Sequence, residues 1–170
     1  MDAVTFQFTK SDDSVRSKPV ESRPGEHFRI PGAQMNDQMN RSLLHYAAAD
    51  GDDVAVARLV DGGADVNDQD VGGYTPLHFA SQNNNTKTVE LLLRLGADVE
   101  SVDSWGNTPL FRAVFNYRDS GDTILALRAA GANPTHANKF GRTPLQLART
   151  IANYDTAQYF NDLPPDDMPV

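Results

Sequence analysis

Residues 72–100 read GGYTPLHFASQNNNTKTVELLLRLGADVE. Taken alone, the glycine pair with threonine, proline and histidine looks like an active-site loop. Two later stretches argue against that: WGNTPLFRAV, from Trp105, and FGRTPLQLAR, from Phe140. The Thr-Pro-Leu core of the phrase recurs, whereas its histidine does not. A catalytic set would keep the reactive side chain, so the phrase reads as construction.

The spacing is regular. Thr75 and Thr108 are 33 residues apart, and Thr143 follows after 35. Counting back 33 from Thr75 reaches Ser42, in RSLLHYAAADGD, where Leu43 takes the proline position. A second landmark keeps step: GGADVN at Gly62 and LGADVE at Leu95 are again 33 apart, and GANP at Gly131 comes 35 after the equivalent glycine. Both landmarks slip together, which places a two-residue insertion in the third copy, within 115–123. A fixed period of this size marks a stack of supersecondary units.

Each unit has a physical reading. Thr75 is an N-cap, with a hydroxyl for an orphan amide of the first turn, and Pro76 fits the first helical position, where its missing N–H costs little. Leu77 and Ala80 face a core, and the asparagines at 83–85 end the helix. A second helix over 86–95 carries Val89, Leu92 and Leu93 at helical spacing, and Gly96 supplies the left-handed residue after it. An extended turn leads to the next Thr-Pro-Leu. One such unit cannot bury its own apolar stripe, but a stack can.

These residues resemble the ankyrin repeat, whose units open on Gly-x-Thr-Pro-Leu-His and close on Leu-Leu-x-x-Gly-Ala-x-Val-Asn. The resemblance covers 37–163 and implies an all-α, helix-turn-helix solenoid of four repeats with projecting β-hairpin loops. The repeats fall at about 37–67, 68–100, 101–135 and 136–163, with tails at 1–36 and 164–170. The first copy lacks the Thr-Pro pair and has Asn40 in place of glycine; the fourth stops within its second helix. Both departures suit terminal units, whose outer faces meet water. His45 and His78 stand at the family's structural histidine, which ties loop to helix start, and Phe111 and Gln146 replace it later.

Composition narrows the function classes. The 170 residues contain no cysteine, which removes disulfides, thiolate metal sites and cysteine nucleophiles. No apolar run approaches a membrane span, and the N-terminal MDAVTFQFTK has no basic region with a long apolar run behind it, so a cytoplasmic protein without a membrane partner is expected. A net charge of −8 argues against a nucleic-acid footprint. Asp68 opens a faint calcium-loop pattern, but its twelfth position is Phe79, where a glutamate is needed. The four histidines have no metal-ligand spacing, and no serine has a base and oxyanion donors around it. No catalytic residue, cofactor or metal is therefore expected.

The resemblance puts partners on a concave face built from loop fingers and first helices. Offsets from the repeat threonine place Tyr74, Trp105, Asn107, Lys139, Phe140 and Arg142 on fingers, and Asp50 and Phe115 at inner-helix ends. Arg112 joins them as a cation beside the aromatics. Large rings on exposed fingers suit an interface; the rival reading is that they pack onto neighbouring loops. Charge is uneven: residues 37–103 hold 12 acidic and 4 basic residues, and 104–163 hold 4 and 6. Asp50 and Asp70 belong to the acidic end, which suits a partner with a basic patch.

The expected function is therefore non-enzymatic protein binding by a chain that is monomeric when free. Small stand-alone bacterial ankyrin-repeat proteins often act as immunity proteins or inhibitors of a toxin or effector, and the resemblance extends that expectation here. The rival readings are a general adaptor, and a small-ligand protein using the Trp105/Phe140 groove. A solvent-exposed groove suits a polypeptide better than a small molecule, which prefers enclosure.

Overall fold

The computed structural model describes residues 36–118, 120–151 and 155–164. Of the two tails, residues 1–35 and 165–170 lie outside the described residues. Within them run α1 (Leu43–Asp50), α2 (Asp53–Asp61), α3 (Pro76–Gln82), α4 (Thr86–Arg94), α5 (Pro109–Phe115), α6 (Asp122–Ala129) and α7 (Pro144–Thr150). A 3-10 helix, Thr156–Phe160, closes the array.

The helices form two layers. The inner row is α1, α3, α5 and α7, each packed on the next, and the outer row is α2, α4 and α6. Period decides which side chains meet. Leu44, Leu77, Leu110 and Leu145 hold the same place in four inner helices and are all buried. Ala47, Ala80, Ala113 and Ala148 form a second buried column, whose small side chains let the inner helices approach closely. Val56, Val89 and Ile124, with Leu92 and Leu127, fill the core from the outer row. No single helix pair encloses this core, so burial is shared between neighbours.

The inner helices start as the sequence indicates. Thr75, Thr108 and Thr143 accept from the amides of His78, Phe111 and Gln146, with proline in the first turn each time. In α3 the Thr75 amide donates to Nδ1 of His78 at 3.2 Å, and Nε2 of the same ring donates to the carbonyl of Asn107, one unit on, at 3.0 Å. His45 repeats the arrangement, taking the Ser42 amide and reaching the Tyr74 carbonyl. Each histidine thus joins its own helix start to the next finger.

The asparagines after α3 do more than end it. Asn83 and Asn85 donate to the carbonyl of Ala49, and Asn85 also to that of Ala48, covering acceptors left open at the end of α1. Asn84, at φ 57, donates to the carbonyl of Asn116 in the following unit. The extra residues of the third copy lie between α5 and α6, where Gly121 backs onto Tyr159 of the closing 3-10 helix and donates to its hydroxyl at 3.2 Å. Arg128 of α6 bonds the Tyr159 carbonyl, pairs with Asp162 and lies 5.1 Å from the Phe160 ring centre.

Candidate functional site

Between the outer and inner rows the chain makes long connections, and the end of each is a finger. Every finger is built on one acceptor. Asp37 Oδ1 takes the amides of Met39 and Arg41; Asp70 takes those of Gly72 and Tyr74. Asp103 takes Trp105 and Asn107, and Asn138 takes Phe140 and Arg142. Such Asx turns mimic a backbone turn with a side chain. Two residues before each helix cap the chain enters the left-handed region, at Asn40, Gly73, Gly106 and Gly141. Asparagine tolerates that conformation best after glycine, which explains Asn40 in the first copy. The fingers join edge to edge through Val71 to Met39, Ser104 to Gly72 and Lys139 to Trp105, amide to carbonyl, at 2.8–2.9 Å. None of the described residues is in a β-strand, so the fingers are linked turns and not extended hairpins.

Beneath them a polar chain joins the last two units. Asn138 donates to Asn107 Oδ1 at 2.8 Å, Asn107 donates to both oxygens of Asp103, and Arg112 of α5 donates to Asp103 through Nε at 3.0 Å and through Nη2. Asp103 is 3% exposed. Burial alone would raise its pKa, but the bonds from Arg112 and Asn107 outweigh it and hold the carboxyl below its ordinary value. At the leading end Arg41 pairs with buried Asp70 at 3.1 Å.

Above this floor lie the rings. The Arg112 guanidinium sits 4.7 Å from the centre of Tyr74 and 5.7 Å from that of Trp105, and the two rings meet edge to face at 6.2 Å. Cation–π contact with a partly buried arginine orders both partners. Trp105 is still 46% exposed, Phe115 is 60% and Phe140 is 73%. Together with Asn107, Phe111 and Asn138 they line an open groove of about 310 Å³ over fingers two to four and α5.

A family model described as ankyrin repeats, three copies, matches residues 26–103 and again 44–138. The chain belongs to the ankyrin-repeat family. No curated protein matches it. Ankyrin repeats generally act by binding other proteins and are not generally catalytic. Among the described residues no cluster of three or more His, Asp and Glu side chains is placed for a metal, and no helix is long and apolar enough to cross a membrane.

Set in this ankyrin stack, the residues singled out from the sequence separate by position. Tyr74, Trp105, Asn107, Arg112, Phe115 and Phe140 come together in the groove. Lys139 and Arg142 are exposed on the fourth finger. Asp50 is exposed at the far end of α1, whereas Asp70 is folded under its finger with its carboxylate occupied. The sequence reading missed Asp103 and Asn138, which position the groove. Their signal was the column of Asp37, Asp70, Asp103 and Asn138, each five residues before a cap.

Proposed function

We propose that this ankyrin-repeat chain binds a partner protein through the concave groove between fingers two to four and α5, and that it does so without catalysing a reaction. The observation that carries this reading is the exposure of Trp105, Phe115 and Phe140 around one groove whose floor is already fixed by Arg112, Asp103 and Asn107. A preorganised surface loses little conformational entropy when a partner arrives, and aromatic anchors in such a position are typical hot spots. An open trough suits a polypeptide better than a small ligand.

The finer version is that the chain masks a toxin or other effector in the cytoplasm as an immunity protein or inhibitor, acting as a monomer before it binds. Its exposed Asp52 and Asp61, at the two ends of α2 and outside the groove, offer a second contact to a basic patch on such a partner.

Titration of the co-purified partner against wild type and Trp105→Ala/Phe140→Ala tests the site. Both positions are exposed, so the variant is expected to keep its fold by circular dichroism while affinity falls by more than about 2 kcal/mol, roughly thirtyfold. Unchanged affinity in the folded variant would remove the groove from the interface. Partner activity measured with one equivalent of the chain separates the finer version from an adaptor: an inhibitor silences it, and an adaptor leaves it intact.

A further inference from the structure

We propose that the segment seated in the groove is acidic: a short stretch of the partner with an aromatic or branched apolar side chain between the rings, and carboxylates beside it held by Lys139 and Arg142. This rests on the groove being the binding site, and it names the chemistry of what binds there.

The net charge of −8 points the other way, so the argument turns on which charges face the groove. Two arginines, one on the first finger and one on α5, are neutralised. Arg41 pairs with Asp70, and Arg112 is bonded to Asp103 through two nitrogens. Two cations of the fourth finger are not. Lys139 Nζ donates to the carbonyl of Ser104 at 2.7 Å, which holds the ammonium across the third finger, and it makes no ion pair among the described residues. Arg142 is exposed and makes no ion pair among the described residues.

Beyond Asp103 the described carboxylates are Asp122 on α6, and Asp155 and Asp162 beside the closing 3-10 helix. None is on a finger or an inner helix, and Asp162 already pairs with Arg128. None of the acids of the leading units lines the groove. Asp52 caps α2, Asp53 accepts from Thr88 of α4, and Asp61 ends α2 in the outer row. At physiological salt the screening length is about 8 Å, so acids on the far layer act weakly at the groove while Lys139 and Arg142 act at contact. The trailing end of the groove is therefore electropositive within an acidic molecule. A basic segment would set its cations against these two, and an acidic one would meet them.

Selection of short random peptides displayed on phage, against full-length wild type and against Lys139→Glu/Arg142→Glu, tests the inference. Peptides recovered on wild type are expected to carry an excess of Asp and Glu next to an aromatic or branched apolar residue. Made synthetically, they should bind about tenfold or more weakly to the charge-reversed variant, and weaken similarly from about 50 mM to about 500 mM salt. Peptides that are lost in Trp105→Ala/Phe140→Ala but show neither acidic excess nor sensitivity to charge reversal would overturn this inference and leave the groove reading standing. Peptides indifferent to the aromatic variant, or no binding peptide at all, would overturn both. Sedimentation of the unliganded chain adds a control: a monomer is expected, and a dimer abolished by the aromatic variant would seat a second copy in the groove and overturn the assignment to a partner.

Discussion

At the scale of single residues, His78 does work that a titration can read. Burial pushes its pKa down to about 4 from 6.5, and its Nδ1 is already committed as acceptor to the Thr75 amide. In the unfolded chain the ring takes a proton below pH 6.5, and in the folded chain it resists until about 4. The unfolded state therefore holds more protons in that window, and stability falls as pH falls. Stability is undiminished above pH 6.5, and the loss reaches about 3 kcal/mol by pH 4. Urea denaturation from pH 7 to pH 4.5 should show this slope, flattened in His78→Gln; identical slopes would remove His78 as its source. Asn138 offers a sharper test, because aspartate fills its column in the other three fingers. Here the amide must also donate to Asn107 Oδ1, so Asn138→Asp should destabilise by about 1–3 kcal/mol despite matching the neighbours. A neutral result in the same denaturation assay would break the polar chain as described. Thr75, Pro76 and His78 were legible in the sequence because each answers to its own helix end. Asn138 and Asp103 were not, since Asp103 is held by Arg112 nine residues on and Asn138 donates to Asn107 of the preceding unit, pairings that no helix-end rule supplies.

At the scale of elements, the repeat phase located helices, caps and the insertion before any coordinates, because period 33 repeats the same local rules. What it did not reveal was traffic between units. The asparagines at 83–85 were readable as a helix stop, yet their side chains seal the end of α1 and reach Asn116. The insertion was readable as an irregularity, yet it brings Gly121 against Tyr159 and seats the closing 3-10 helix on α6. A β-carbon at Gly121 would run into the Tyr159 ring. Gly121→Ala is therefore expected to cost about 1–3 kcal/mol and to speed amide exchange across Thr156–Phe160 while α1 to α4 stay protected. Uniform loosening of the whole chain would contradict a closing element held locally by Gly121 and its neighbours on α6 and α7.

At the scale of the whole molecule, a two-layer stack leaves its finger row free, and the sequence offsets brought Tyr74, Trp105 and Phe140 to one groove. Counting charges could not show which acids reach that groove, because neutralisation depends on contacts across units. Asp70 lies beneath its finger, paired with Arg41, while the cations of the fourth finger make no ion pair among the described residues. The central claim is that the fingers and inner helices receive the partner. Hydrogen–deuterium exchange on the full chain, alone and with its co-purified partner, addresses it directly. Protection on binding should concentrate in residues 102–108 and 137–143 and in α5. Protection confined to α2, α4 and α6, with those fingers exchanging as in the unbound chain, would contradict it.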